Sequence, residues 1–169
     1  ILHRRWFVRL LLCAVALLAV VSCQLTEPDI PQSVLKDSKE ITLTGKAVKV
    51  DCYTPATLAK APVVIIAHGF SRNRRYMAGW GVLLAKNGIS AVVLDQPYFS
   101  NHPGNGKAIA ELAQQIKAGT ITLKTAPDGR IGLVGMSMGG LTTLLAAAQT
   151  PVDAWLGLDP VDAPDGRGA

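Results

Sequence analysis

Six consecutive residues carry the densest chemical signal in the chain: Gly135-Met136-Ser137-Met138-Gly139-Gly140. Glycines two residues before and two after a serine suit a tight, strained turn, because a Cβ at either position would collide there. The segment Arg130 to Gly135, largely apolar, reads as a strand before this turn, and the Ala- and Leu-rich stretch Met138 to Gln149 reads as a helix after it. A strand, a sharp turn and a helix are the context that the G-x-S-x-G motif requires. Such a turn projects the hydroxyl above the strand end and sets the positive end of the helix dipole behind it. The chemistry this serves is attack of Ser137 on a carbonyl carbon, with the backbone N–H of Met138 donating to the oxyanion that develops. A glycine-rich turn that merely enters a helix has the same spelling, so the neighbouring motifs matter.

Two further segments sit where strands are expected to end. His68-Gly69-Phe70 follows the apolar, β-branched run Val63-Val64-Ile65-Ile66-Ala67, and Gly157-Leu158-Asp159-Pro160-Val161-Asp162 closes the segment after the serine helix. An aspartate at that point reaches the same sheet edge as Ser137, where it orients a histidine and stabilises its cation; capping a loop is the other use of such a residue. An alcohol is a poor nucleophile near neutral pH without a base, and the histidines here are His3, His68 and His102, none of them after Ser137.

These motifs need a scaffold that gathers them on one edge. Ile41 to Cys52 alternates apolar and polar residues, as in an antiparallel strand or hairpin, with Gly45 at or near a turn. Residues 63–67 are apolar on both faces, as in a central parallel strand. Tyr76 to Asn87 has helical spacing through Met77, Trp80, Leu83 and Leu84 and stops at Asn87-Gly88. Ile89 to Leu94 is a second buried strand, the Gly-, Pro- and Asn-rich stretch Gln96 to Gly106 a loop, Lys107 to Lys117 a helix, and Ala154 to Leu158 a further strand. Alternating strands and helices at this spacing imply a mainly parallel sheet with right-handed crossovers.

The three motifs in this order resemble those of the α/β-hydrolase superfamily over about Ile41 to Asp162, and the nearest flavour is the chlorophyllase, platelet-activating-factor acetylhydrolase and polyester-hydrolase group. The resemblance implies an α/β-hydrolase fold, a parallel sheet flanked by helices. It implies that the Phe70 N–H is the second oxyanion donor beside Met138, and that His68 shapes its loop structurally. Asp159 is implied as the acid, with Asp162 as runner-up, because chlorophyllases, acetylhydrolases and pancreatic-type lipases carry it after this strand in stretches similar to Gly-Leu-Asp-Pro. The base of the superfamily lies beyond two further strands, so residues 41–169 are expected to be the N-terminal part of the domain, with the histidine past Ala169. The implied activity is hydrolysis of a small-molecule or lipid-like carboxylic ester through an acyl-enzyme, with no metal or organic cofactor. Pro97, Tyr98 and Phe99 are placed to line an apolar pocket or to pack under a cap. A peptidase or thioesterase using the same triad, or a lipid-anchored binding module on a degenerate site, remain alternatives.

The N-terminus carries a different message. His3 to Arg9 is basic, Leu10 to Val21 is apolar but short for a bilayer span, and Val20-Val21-Ser22-Cys23 resembles a bacterial lipobox. Residues 1–22 are thus expected to be a signal peptide, Cys23 a lipidation site that anchors the protein to a membrane, and residues 23–40 a polar tether. Gln24 favours the outer membrane over the inner; an ordinary signal peptide or an uncleaved anchor is the alternative. The charge of +5 belongs partly to this segment. Setting aside Arg4, Arg5 and Arg9 from the 17 basic residues leaves 14 against 12 acidic ones, with no basic patch to bind nucleic acid. Cys52 reads as a half-buried strand residue without catalytic use.

Overall fold

The structure is a computed structural model that describes residues 27–161. The expected signal segment, Cys23 and Asp162 lie outside the described residues. Val34–Leu43 (β1) and Lys46–Pro55 (β2) form a hairpin whose two turn residues, Thr44 and Gly45, both have positive φ (48° and 74°). That is the backbone a two-residue hairpin turn demands, and it supports the expected role of Gly45. Lys60–Ala67 (β3), Ser90–Leu94 (β4), Ala126–Met136 (β5) and Ala154–Leu158 (β6) complete one six-stranded sheet in the order β1-β2-β4-β3-β5-β6. The strands β4, β3, β5 and β6 run parallel, and β1 and β2 are antiparallel at one edge.

Alternation along the central strands divides the core. Ile65 faces one cluster with Val63, Val92 and Leu133, and Ile66 faces the other with Tyr53, Ala91 and Val93. The first cluster is closed by His102–Lys117 (α2) through Ile109, Leu112 and Ile116, with Met138–Ala147 (α3) contributing Ala146. The second is closed by Ala78–Lys86 (α1) through Ala78, Val82 and Ala85. Burying a Leu or Ile side chain contributes about 1.5–3 kcal/mol, so these two layers hold the strand ends that carry the motifs. The fold is α/β, a mostly parallel sheet with helices on both faces, as expected.

Several boundaries differ from the sequence reading. Residues 34–40, expected to close a polar tether, belong to β1 instead, because Val34 and Leu43 are buried and the intervening backbone pairs with β2. The helix expected over 76–87 opens instead with a 3₁₀ turn, Arg74–Met77, ahead of α1, and Trp80 and Leu83 are exposed. Gly81 causes this rotation: a Cβ there would lie 2.4 Å from the Tyr53 ring, so this face of α1 packs directly on the sheet. The helix expected from Lys107 begins at His102, because the Asn101 side chain accepts from the Gly104 N–H and Pro103 occupies the first turn. β5 starts at Ala126, and its pairing with β3 slips between Ala61 and Val63, beside Gly129 at φ 101°.

Candidate active site

Ser137 sits between β5 and α3 with φ 53° and ψ −120°, a conformation that costs a non-glycine residue about 1–3 kcal/mol. The surroundings over-determine it. Its N–H donates to the Leu158 carbonyl at 2.9 Å, and its own carbonyl accepts from Gly140 at 2.8 Å and from Val161 at 3.3 Å. The glycines are required by contact rather than by φ. A Cβ on Gly135 would lie 2.0 Å from the Gly139 carbonyl oxygen, and one on Gly139 would lie 2.3 Å from that of Ala67. One on Gly140 would lie 2.7 Å from Pro160 Cβ. The serine turn is therefore pressed against the end of β3 on one side and against the loop after β6 on the other.

Those two loops carry the other expected residues. Gly69 passes over the serine so closely that its Cβ would touch Ser137 Cβ at 3.5 Å. Phe70 follows, and the turn is closed by the Arg72 N–H donating to the Gly69 carbonyl at 3.3 Å. Neither the Phe70 nor the Met138 N–H has a hydrogen-bond partner among the described residues, so both are free to donate. Asp159 lies at the end of β6 with φ 48° and an exposed side chain. The backbone bonds of Leu158 and Val161 to Ser137 bracket Asp159, but no side-chain hydrogen bond joins Asp159 to Ser137.

His68 is committed elsewhere. Its Nδ1 lies 2.8 Å from the Gly69 carbonyl, and its Nε2 accepts from the Gln96 N–H at 3.1 Å, which places the ring proton on Nδ1. Gln96 completes a latch by donating its side-chain amide to the His68 carbonyl at 2.6 Å. Burial holds the ring pKa below its usual 6.5, against smaller raising effects of the Gly69 bond and Asp95. Both nitrogens are in use, so His68 ties the β3 loop to the β4 loop and does not serve Ser137. His102 opens α2 and lines neither hollow beside the serine.

The β4 loop is braced independently. Arg74 donates its backbone N–H and Nη1 to Asp95 at 2.7 and 2.8 Å, and its Nε lies 3.0 Å from Asp51, which is 2% exposed. Asn105 clamps Tyr98 from both sides, accepting from its N–H at 3.0 Å and donating to its carbonyl at 2.8 Å. Phe99 then projects outward to meet Phe70, ring centroids 4.7 Å apart and tilted by 59°. A cleft of about 410 Å³ opens at Ser137, lined also by Gly69, Phe70, Arg72, Tyr76 and Met136. A smaller hollow of about 120 Å³ adjoins it between His68, Arg72, Gln96, Phe99 and Met138. Sequence reasoning missed Arg72, Tyr76 and the Gln96 latch; the run Arg72-Asn73-Arg74-Arg75 beside the histidine-glycine motif was the one available signal.

A mostly parallel sheet flanked by helices, with a strained serine turn at its carboxyl edge facing a second loop with a free N–H, sets the class of fold. The description alpha/beta hydrolase fold matches residues 62–160, more than half of the chain, and the chain belongs to that family. It is similar to the quorum-quenching protein AidA of Acinetobacter baumannii (strain MDR-ZJ06), 24% identical over 128 residues that cover 72% of this chain and 40% of the relative. Among solved structures it resembles esterase Est22 (TM-score 0.67, 22% identity, 78% of this chain and 46% of that one). It also resembles a bacterial heroin esterase (TM-score 0.67, 18% identity, 88% and 51%) and Est1E from Butyrivibrio proteoclasticus (0.62, 24%, 73% and 50%). The chain thus spans 40% of the curated relative and about half of these structures.

Proposed function

We propose that this protein hydrolyses carboxylic esters through an acyl-enzyme on Ser137. The observation that carries the reading is the strained serine turn on the floor of a cleft, beside two N–H groups without partners. Ser137 Oγ attacks the ester carbonyl as a base takes its proton, and the Phe70 and Met138 N–H groups hold the oxyanion. Each donor of this kind contributes about 10²–10³ in rate. The base then protonates the departing alcohol; in the second half it takes a proton from water, which attacks the acyl carbonyl, and it returns that proton to Ser137 Oγ as the Oγ–acyl bond breaks and the acid leaves. Asp159 orients the base, with Asp162 as the alternative acid. The base is the one member that the described residues do not supply, and a histidine downstream of Ala169 is part of this proposal. Esterase structures among the relatives support the ester as substrate, and the chlorophyllase and acetylhydrolase flavour of Gly157-Leu158-Asp159-Pro160 supports a lipid-like one.

A fluorophosphonate probe tests the nucleophile: the folded protein labels at Ser137, and Ser137→Ala abolishes the signal. Absence of labelling in the folded protein refutes the hydrolase reading. It would favour a binding module on a degenerate site. We further propose that Cys23 is acylated and tethers the domain to a bacterial membrane, the outer one by the Gln24 reading. Cys23→Ser then abolishes acyl-chain incorporation; continued acylation refutes it.

A further inference from the structure

Three arginines lie in one short segment beside the cleft, and they are used differently. Arg74 is held between Asp51 and Asp95, and Arg75 lies 3.8 Å from Glu27. Arg72 has no carboxylate within ion-pair distance among the described residues. Its guanidinium instead rests over the Tyr76 ring, 4.7 Å from the centroid, and donates to the Tyr76 hydroxyl at 3.4 Å. The platform is itself fixed: the Tyr76 N–H donates to the Asn73 carbonyl at 3.1 Å, and the Asn73 side chain caps the same turn through the Arg75 N–H at 3.0 Å.

Arg72 also lines both the Ser137 cleft and the hollow next to it. Its backbone is bonded to Gly69, so the guanidinium is referenced to the same loop as the Phe70 N–H. The rest of the cleft wall is largely apolar, with Phe70, Met77 and Met136. A cation without a counter-ion at an apolar wall concentrates positive potential where substrate enters. A guanidinium stacked on an aromatic face keeps its edge N–H groups in a fork that matches a carboxylate. Asp95, the carboxylate in the adjoining hollow, is occupied by Arg74.

We propose that Arg72 is a specificity-determining residue that selects esters bearing a carboxylate on the acyl or alcohol part, with the intervening apolar portion against the Phe70–Phe99 pair. The proposal rests on the hydrolase reading, and its test separates the two. Two matched pairs locate the charge: p-nitrophenyl hemiglutarate against p-nitrophenyl valerate, and 4-carboxyphenyl butyrate against phenyl butyrate. The quantity read is the ratio of kcat/KM, charged over neutral. Arg72→Ala lowers this ratio about tenfold in one pair, and Arg72→Glu lowers it further. The pair affected identifies the side that carries the charge. Ratios equal in wild type and Arg72→Ala for both pairs overturn the proposal.

Binding is measured in parallel in the Ser137→Ala protein, using glutaranilic acid as a carboxylate ligand that contains no ester. Calorimetric affinity about tenfold weaker once Arg72→Ala is added supports the Arg72 site even if hydrolysis survives Ser137→Ala, an outcome that sinks the hydrolase reading alone. Equal affinity, or no binding to either protein, overturns the Arg72 proposal even where the esters are turned over through Ser137.

Discussion

Gly139→Ala isolates the steric logic of the serine turn. Residue 139 is in the first turn of α3, where alanine is the better helix former by about 1 kcal/mol, so propensity alone predicts stabilisation. The fold predicts the opposite, since the new Cβ would meet Ala67 O at 2.3 Å, His68 O at 2.6 Å and Ala67 C at 2.8 Å. All three are backbone atoms at the end of a central strand, with no side chain to rotate away. Overpacking costs about 1–3 kcal/mol where neighbours yield, and this site belongs at the top of that range. Subtracting the propensity gain leaves a net loss of about 2 kcal/mol. Gly79→Ala is the control: residue 79 is at the same place in α1, and its Cβ would meet nothing within 4 Å, so it gains the full propensity term of about 1 kcal/mol. Urea unfolding followed by circular dichroism reads both as shifts of midpoint at constant slope. A Gly139→Ala protein as stable as Gly79→Ala would refute the claim that the serine turn is wedged against β3.

Three other outcomes follow from the same geometry. Ser137→Gly relieves the positive φ and is about 1 kcal/mol more stable than Ser137→Ala in the same unfolding assay; equal stabilities would mean that the turn is unstrained. His68 has a folded pKa below 6.5, so the unfolded chain binds its proton first, and the stability it contributes is complete above pH 6.5 and falls as pH drops below that value. His68→Gln flattens the pH 5–7 portion of the stability curve, and an unchanged slope would refute the buried neutral tautomer. The Cys52 thiol is pushed up to about 12, chiefly by burial, so at pH 8 it resists alkylation in the folded protein and reacts on unfolding, as mass spectrometry of its peptide can follow. Rapid modification of the folded chain would contradict its burial.

The serine turn was legible from spelling because its requirements are local: two strand residues, a serine and glycines at fixed offsets meet within one turn of chain. The same holds for the Thr44-Gly45 hairpin and for the buried strands, whose apolar runs announce burial on both faces. The faces of helices were less legible. Trp80 and Leu83 have the spacing of core residues, yet Gly81 packs on Tyr53 and turns them outward, a choice made by a residue 28 positions away. β1 was hidden inside a polar segment because its stability comes from pairing with β2 rather than from its own pattern.

What the sequence by itself determined is the set of loops that must converge: the glycines around Ser137, the histidine-glycine segment after β3, and the Asp159 turn after β6 each declare a strand end. Tertiary structure alone decided what the side chains do there. Gln96 captures both faces of the His68 loop across 28 residues, and Asp51 in β2 and Asp95 in the loop after β4 both claim Arg74. Arg72, two positions from Arg74, is left facing the cleft on the Tyr76 ring. Hydrogen bonds and ion pairs between distant segments depend on where the sheet brings strand ends together, and residue type does not encode which of several like arginines will find a carboxylate.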